Sequence, residues 1–389
     1  MRIAIDAHVA GTQHAGVVTV IENLIEALAS LDRANQYTIY LTEKNAISRY
    51  ANRWPNFEVR HFRARSRYFR FFYGFPQQLR KYPADILLCQ FNAPPSVRCK
   101  VVAIIHDLSF IRVPETFPIK MRMQMQIMTR RTSMIASHII APSEYSRRDI
   151  INAYNVPENR VTRVPLAPPD WFEPVKNEGV LDDIKRKYAL PNEYILGLGS
   201  IQPRKNLARL IEAYASLVKR GIEIPKLVLA GKLAWLSEAT VQSAAFHDVV
   251  DRVIFTGHIS EEDLPALYSG AKCFVYPSYF EGFGLPPLEA MRCGTPVITG
   301  NLTSLPEVVG VAALMVDPFE VTSIAKGLER VVSDTDLRES MRQKGAEQAA
   351  KFSWERTAGM TLRILEQVHS DVIDRADTMT KSASVRHSG

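Results

Sequence analysis

A chain of 389 residues has the length of two ordinary domains. Its 46% hydrophobic and 23% charged residues exclude a disordered, collagen-like or polytopic membrane protein. Net charge is +7, and the window 59–84 holds seven cations (Arg60, Arg63, Arg65, Arg67, Arg70, Arg80, Lys81) and no acid, so it matches the whole excess. One concentrated basic patch suggests a single anionic surface or ligand, not a coat for nucleic acid.

In chain order, β-rich runs fall at 2–5, 37–41, 86–88, 101–105 and 138–141, with a helical pattern over 20–28. Pro165, Pro168, Pro169 and Pro174 then break any regular element, and Trp171 and Phe172 can pin the segment as a linker. Runs at 194–198, 227–230, 253–255, 273–276 and 296–298 follow, most of them leading through a polar or glycine-bearing turn into a helix. Alternation of this kind implies βαβ units and parallel sheets covered on both faces. The reading is α/β: two doubly wound Rossmann-like domains, 1–172 and 173–376, facing across a cleft. A polar, aperiodic tail at 377–389 is expected to be disordered.

The short apolar start ends in Asp6 and is no signal-peptide core. Cys89, Cys99, Cys273 and Cys293 form no C-x-x-C pair, which predicts a reduced, cytoplasmic setting and no structural metal.

Ligands of doubly wound sheets bind beyond the carboxyl ends of the strands, so the post-strand loops carry the candidates. After 194–198 come Arg204 and Lys205, then Asn206 as N-cap of a helix over 207–219: an anion site suited to a diphosphate, or else two solvated cations on a surface turn. No Walker pattern is present. After 273–276 the chain reads Glu281, Gly282, Phe283, Gly284, Leu285, Pro286, Pro287, Leu288, Glu289. The glycines let a ligand approach the backbone, the prolines start a short helix, and Gly294 ends it. Glu289 suits vicinal hydroxyls such as those of ribose, although complementing the helix dipole explains it equally when taken alone. His106 follows 101–105 on the other wall of the cleft, as a hydrogen-bonding or acid–base group or as a satisfied structural residue.

These loops resemble the signature of the family-4 glycosyltransferases, retaining enzymes of the GT-B fold. The carriers are EGFGLPPLEAMRCGTPVI (281–298), SLPEVVG (304–310), GSIQPRKN (199–206), HISEEDLPALYSGAKCFVYPS (258–278), IIHDLSF (104–110), APSEYSRRDI (141–150) and FSWERTA (352–358), in the family's order over nearly the whole chain. Within the family the chain is similar to bacterial mannosyltransferase-type members of surface-polysaccharide assembly. The resemblance implies that Glu281 contacts the donor sugar and Glu289 grips the nucleotide ribose. It also implies that Arg204 and Lys205 hold the donor diphosphate, with the backbone of Gly282, Phe283, Gly284 and Leu285 lining sugar and phosphate. His106 would approach the sugar from the N-terminal side, and Gly16, in the loop after the first strand, would face the acceptor. Two departures stand out: Ser200 replaces a frequent arginine, and Gly16 is followed by Val17 and Val18 where arginine and tyrosine are common.

The resulting expectation is a retaining hexosyltransferase that moves mannose or another hexose from a nucleoside-diphosphate sugar to a lipid-linked or oligosaccharide acceptor. It would need no cofactor and no metal. The cations and aromatics of 59–84 would dock it on the anionic inner face of the cytoplasmic membrane, unless those aromatics fill the core. The alternatives are a nucleotide-sugar epimerase or hydrolase on the same fold, or a non-catalytic sugar-nucleotide-binding subunit.

Overall fold

The computed structural model describes residues 1–12, 15–62 and 66–385. The first sheet is built from β1 (Arg2–Asp6), β2 (Gln36–Leu41), β3 (Phe57–His61), β4 (Ile86–Gln90), β5 (Lys100–Ile104), β6 (His138–Ala141) and β7 (Val161–Arg163). Its order is β3-β2-β1-β4-β5-β6-β7. The second sheet contains β8 (Tyr194–Leu198), β9 (Lys226–Ala230), β10 (Val253–Gly257), β11 (Cys273–Tyr276), β12 (Val297–Gly300) and β13 (Leu314–Val316), ordered β10-β9-β8-β11-β12-β13. Every pairing among them is parallel.

Each order reverses once, between β1 and β4 and between β8 and β11. At those points neighbouring loops diverge to opposite faces and leave a crevice at the carboxyl edge. The central strands are apolar on both sides because helices cover both faces. Ile3, Ile5, Leu88 and Ile104 pack in one layer, and Ala4, Leu87, Cys89 and Ala103 in the other.

Three strands escape the sequence reading: β3, β7 and β13. All three are sheet edges, paired on one side only, and their residues are mostly half-exposed. β3 and β7 mix polar with apolar residues and lack the apolar run that marks the interior strands, whereas β13 closes a short apolar run, 311–316, that the reading passed over.

Between β7 and the helix Glu178–Lys187 the chain carries no helix or strand. Phe172 is buried and its ring lies 6.1 Å from that of Tyr268, whereas Trp171 is half-exposed. The last helix, Trp354–Val385, returns to pack against the helix Ala15–Leu31. The helix includes 377–385 of the polar tail, and 386–389 lie outside the described residues. Extending an anchored helix avoids a new nucleation cost, and Ala376, Met379, Lys381 and Ala383 are good helix formers.

Candidate active site

The chain leaves β8 through Gly199 at φ +139°, turns once over Pro203–Lys205 and enters the helix Leu207–Lys219. Lys205 is buried and the Arg204 side chain is only 13% exposed, which rules out a pair of solvated surface cations. Asn206 does not cap through its side chain. It sits in the left-handed region, and its amide donates to the carbonyls of Pro277 and Pro318, tying this loop to the one after β11.

That second loop brings Glu281 between the two cations. Arg204 Nη1 lies 3.0 Å from one carboxylate oxygen and Lys205 Nζ 2.7 Å from the other, and Lys205 also donates to the Tyr276 hydroxyl. Burial alone would raise the Glu281 carboxyl, but the two cations hold it down at about 2. Burial pushes the Lys205 ammonium down to about 8 against the pull of Glu281. Arg204 stays charged, and its buried Nε has no hydrogen-bond partner among the described residues.

Gly284, at φ +105°, leads into the helix Leu285–Arg292, with prolines in its first turn where no N–H is needed. Ser304 Oγ donates to the carbonyls of Glu281 and Phe283, and the Glu281 N–H donates to Thr303 Oγ1. Among the described residues the backbone N–H groups of Gly282, Phe283, Gly284 and Leu285 find no acceptor. Four free donors at a helix N-terminus beside the cations of Arg204 and Lys205 form a site for an anion. Glu289, on the same helix, is buried and accepts from the Tyr268 hydroxyl at 3.0 Å. Burial raises its carboxyl to about 7.

The N-terminal half meets this loop directly. Ser143 and Ser146 donate to the Gly282 carbonyl at 2.7 and 3.0 Å, and Ser146 also reaches the His106 carbonyl at 3.1 Å. Glu307 caps the N-terminus of the helix Glu144–Tyr154, accepting from Glu144 N at 2.9 Å. Trp235 Nε1 donates to the Thr116 carbonyl at 2.8 Å and its ring lies 5.6 Å from Phe117. The structure brings Arg204, Lys205, Glu281, Gly282 and His106 into one neighbourhood. Gly16 lies in the first turn of the helix Ala15–Leu31, not in the loop before it, with open space where a Cβ would point.

Two family models match the chain: "Glycosyltransferase Family 4" over 14–167 and "Glycosyl transferases group 1" over 182–348. The O-antigen chain mannosyltransferase B of Escherichia coli is 35% identical over 68% of this chain and 69% of its own length. The serotype-specific mannosyltransferase WbdA of E. coli is 35% identical over 64% of this chain, which is only 31% of that longer protein. The chain belongs to the family-4 glycosyltransferases. The solved structures it resembles have the GT-B fold: a sucrose-phosphate synthase from Thermosynechococcus elongatus (TM-score 0.74, 20% identity, covering 95% of this chain and 99% of that one) and the lipopolysaccharide glycosyltransferase WaaG (TM-score 0.70, 17% identity, covering 94% and 99%).

Sequence reasoning missed several residues that shape this glycosyltransferase's site. Gln90 ends an apolar strand and carries no motif. Ser143 and Glu307 lie in quoted motifs, yet only the fold shows them joining the two halves. The window 59–84 proves divided. Arg70 is buried against Asp6, its Nη1 at 3.1 and 3.2 Å from the two carboxylate oxygens, and Phe71 and Phe75 enter the core. Arg60 pairs with Glu58 at 2.5 Å and lies over the Tyr82 ring. Tyr68, Phe69, Phe72 and Tyr73 remain 42–63% exposed. Arg63 and Arg65 lie outside the described residues.

Proposed function

We propose that this glycosyltransferase moves a hexose, mannose by preference, from a nucleoside-diphosphate sugar to a hydroxyl of a lipid-linked glycan, with retention at the anomeric carbon. The observation that carries the reading is the buried Arg204–Lys205–Glu281 cluster beside the free N–H groups of the helix Leu285–Arg292. A diphosphate would take the two cations and the N–H groups, releasing Glu281 toward sugar hydroxyls. Glu289 would hold the ribose. The names of the O-antigen mannosyltransferase relatives support mannose and surface polysaccharide, and the similarity to HepE of Anabaena solved with UDP-glucose (TM-score 0.70, 18% identity) supports a nucleotide-sugar donor.

The bond from the anomeric carbon to the diphosphate breaks with oxocarbenium character, so stabilising the departing charge is the main catalytic task. The acceptor oxygen bonds to the same face of that carbon and passes its proton to a phosphate oxygen. Arg204, Lys205 and the helix N-terminus supply the neutralising charge. Among the described residues no group of three or more His, Cys, Asp or Glu side chains is placed to hold a metal, and the proposed reaction uses none.

We place the enzyme peripherally on the inner face of the cytoplasmic membrane. Among the described residues no helix is long and apolar enough to cross one. Support comes from the exposed aromatics of 59–84 and from a second row on the helix Ile119–Ile135, where Ile119, Met123, Ile127 and Met134 are more than half exposed. Both segments pack on the same face of the first sheet, through Phe75 and Leu79 from one and Met121 and Met125 from the other. No acid occurs from 116 to 143, while Lys120, Arg122, Arg130 and Arg131 flank the apolar row.

The decisive experiment incubates the protein with a panel of nucleotide sugars and a lipid-linked acceptor in excess chelator and reads the product anomer by NMR. An α-linked product from an α-linked donor is expected. Free sugar or an epimer formed without acceptor would refute transfer, and activity restored only by Mg²⁺ or Mn²⁺ would refute the metal-free mechanism.

A further inference from the structure

Gln90 ends β4, next to β5 at the point where the first sheet reverses, and is 8% exposed. Its side chain bridges two groups of different kind. Gln90 Nε2 donates to the Val17 carbonyl at 3.2 Å, and Gln90 Oε1 lies 2.6 Å from His106 Nε2. A carbonyl only accepts, so the Val17 contact fixes which end of the amide faces it and leaves Oε1 for the imidazole. An amide oxygen also only accepts, so His106 Nε2 must carry the ring proton. Burial meanwhile keeps the ring neutral at physiological pH, lowering it to about 4 against the opposing charge of Asp107. A neutral imidazole has one N–H. Nδ1 is then a bare lone pair, and it makes no hydrogen bond with any of the described residues.

We propose that Gln90 is a positioning residue that locks His106 in the Nε2–H tautomer, so that Nδ1 accepts a hydrogen bond from a donor-sugar hydroxyl. The sugar-facing part rests on the proposed function; the tautomer does not. The helix Ala15–Leu31 takes part through Val17, so its first turn and the histidine after β5 are joined through one amide. An acceptor-only ring discriminates by chemistry. It favours a hexose presenting a hydroxyl at that point and disfavours one presenting a carboxylate, whose lone pairs would face the Nδ1 lone pair.

Two readouts test this. In ¹⁵N-histidine-labelled protein without ligand at pH 7, the His106 ring, assigned by its disappearance in His106→Gln, should show the Nε2–H tautomer alone. Gln90→Leu should bring in the Nδ1–H form, with an equilibrium shift of about tenfold, the worth of one hydrogen bond. An Nδ1–H or doubly protonated ring in the wild type would overturn the lock, as would a spectrum unchanged by Gln90→Leu. Should that variant fail to fold, the wild-type spectrum still decides. Transfer from a series of monodeoxy donors gives the second readout. Gln90→Leu should lower kcat/KM about tenfold for the parent donor and have no further effect for the one analogue lacking the paired hydroxyl. An equal loss with every analogue would overturn the hydroxyl contact while leaving the tautomer standing. Absence of transfer from any donor with the tautomer intact would count against the proposed function instead.

Discussion

Gly282 lies backbone to backbone against His106: a Cβ on Gly282 would stand 2.0 Å from the His106 carbonyl oxygen. Glycine is required here by the approach of the other half of the molecule, since 282 is not among the positive-φ positions. Gly282→Ala should force the halves apart and displace the loop that carries Glu281. Transfer is expected to fall about 10²-fold, the usual cost of an ångström of misplacement. Small-angle scattering should show a larger radius of gyration; full activity with unchanged scattering would contradict the contact.

Lys205 should set the alkaline limb of the rate profile. Burial lowers its ammonium to about 8, so the charged form is present below that pH and lost above it in the ligand-free enzyme. Without the ammonium the diphosphate loses a partner, and kcat/KM should fall as pH rises through about 8. Lys205→Arg should abolish this limb, and Lys205→Ala should lower turnover about 10²-fold even at pH 7. An alkaline limb that persists in the arginine variant would assign it elsewhere.

Glu289 makes the opposite kind of statement. Its carboxyl is raised by burial from 4.5 to about 7, so between those values the folded chain holds a proton that the unfolded chain has released. Its contribution to stability is therefore present at low pH and lost as pH rises through that window, and Glu289→Gln should flatten this dependence. Ribose hydroxyls bound to the carboxylate would favour ionisation. Calorimetry of nucleoside-diphosphate binding at pH 7, in buffers of different ionisation enthalpy, should detect release of a fraction of a proton. Glu281→Gln should keep that release and Glu289→Gln should lose it.

Membrane docking is testable by sedimentation with liposomes. Binding should require anionic lipid and weaken with salt. It should drop when Arg63, Arg65 and Arg67 become Ser, and when Ile119, Met123 and Ile127 become Ser, each cation near the surface being worth about 1 kcal/mol. Arg70 is unsuitable for this test because it is buried against Asp6. Protein that stays in the supernatant with anionic vesicles at low salt would favour a soluble acceptor.

The interior of both sheets was legible because strands covered on two faces leave uninterrupted apolar runs, as in β5 and β11. The edges β3 and β7, where polar residues interrupt the apolar ones, left no such trace. Site residues on post-strand loops were legible one by one: Arg204 and Lys205 from their charge before a helix, Glu281 and Glu289 from the glycine–proline loop between them. What the sequence could not reveal was their mutual satisfaction. That Glu281 neutralises both cations, and that Gln90 orients His106, depends on pairs 76 and 16 positions apart in the chain.

The return of the helix Trp354–Val385 onto Ala15–Leu31 also sets an order of events during synthesis. Ile21, Leu24 and Leu28 belong to the same buried cluster as Ile364, Leu365 and Val368. A nascent chain elongating at about 5–20 residues per second therefore waits some tens of seconds for the partner of its first helix to leave the ribosome. Through that interval the amino-terminal sheet carries an uncovered apolar stripe, a surface for chaperones to hold until the helix Trp354–Val385 arrives to seal it.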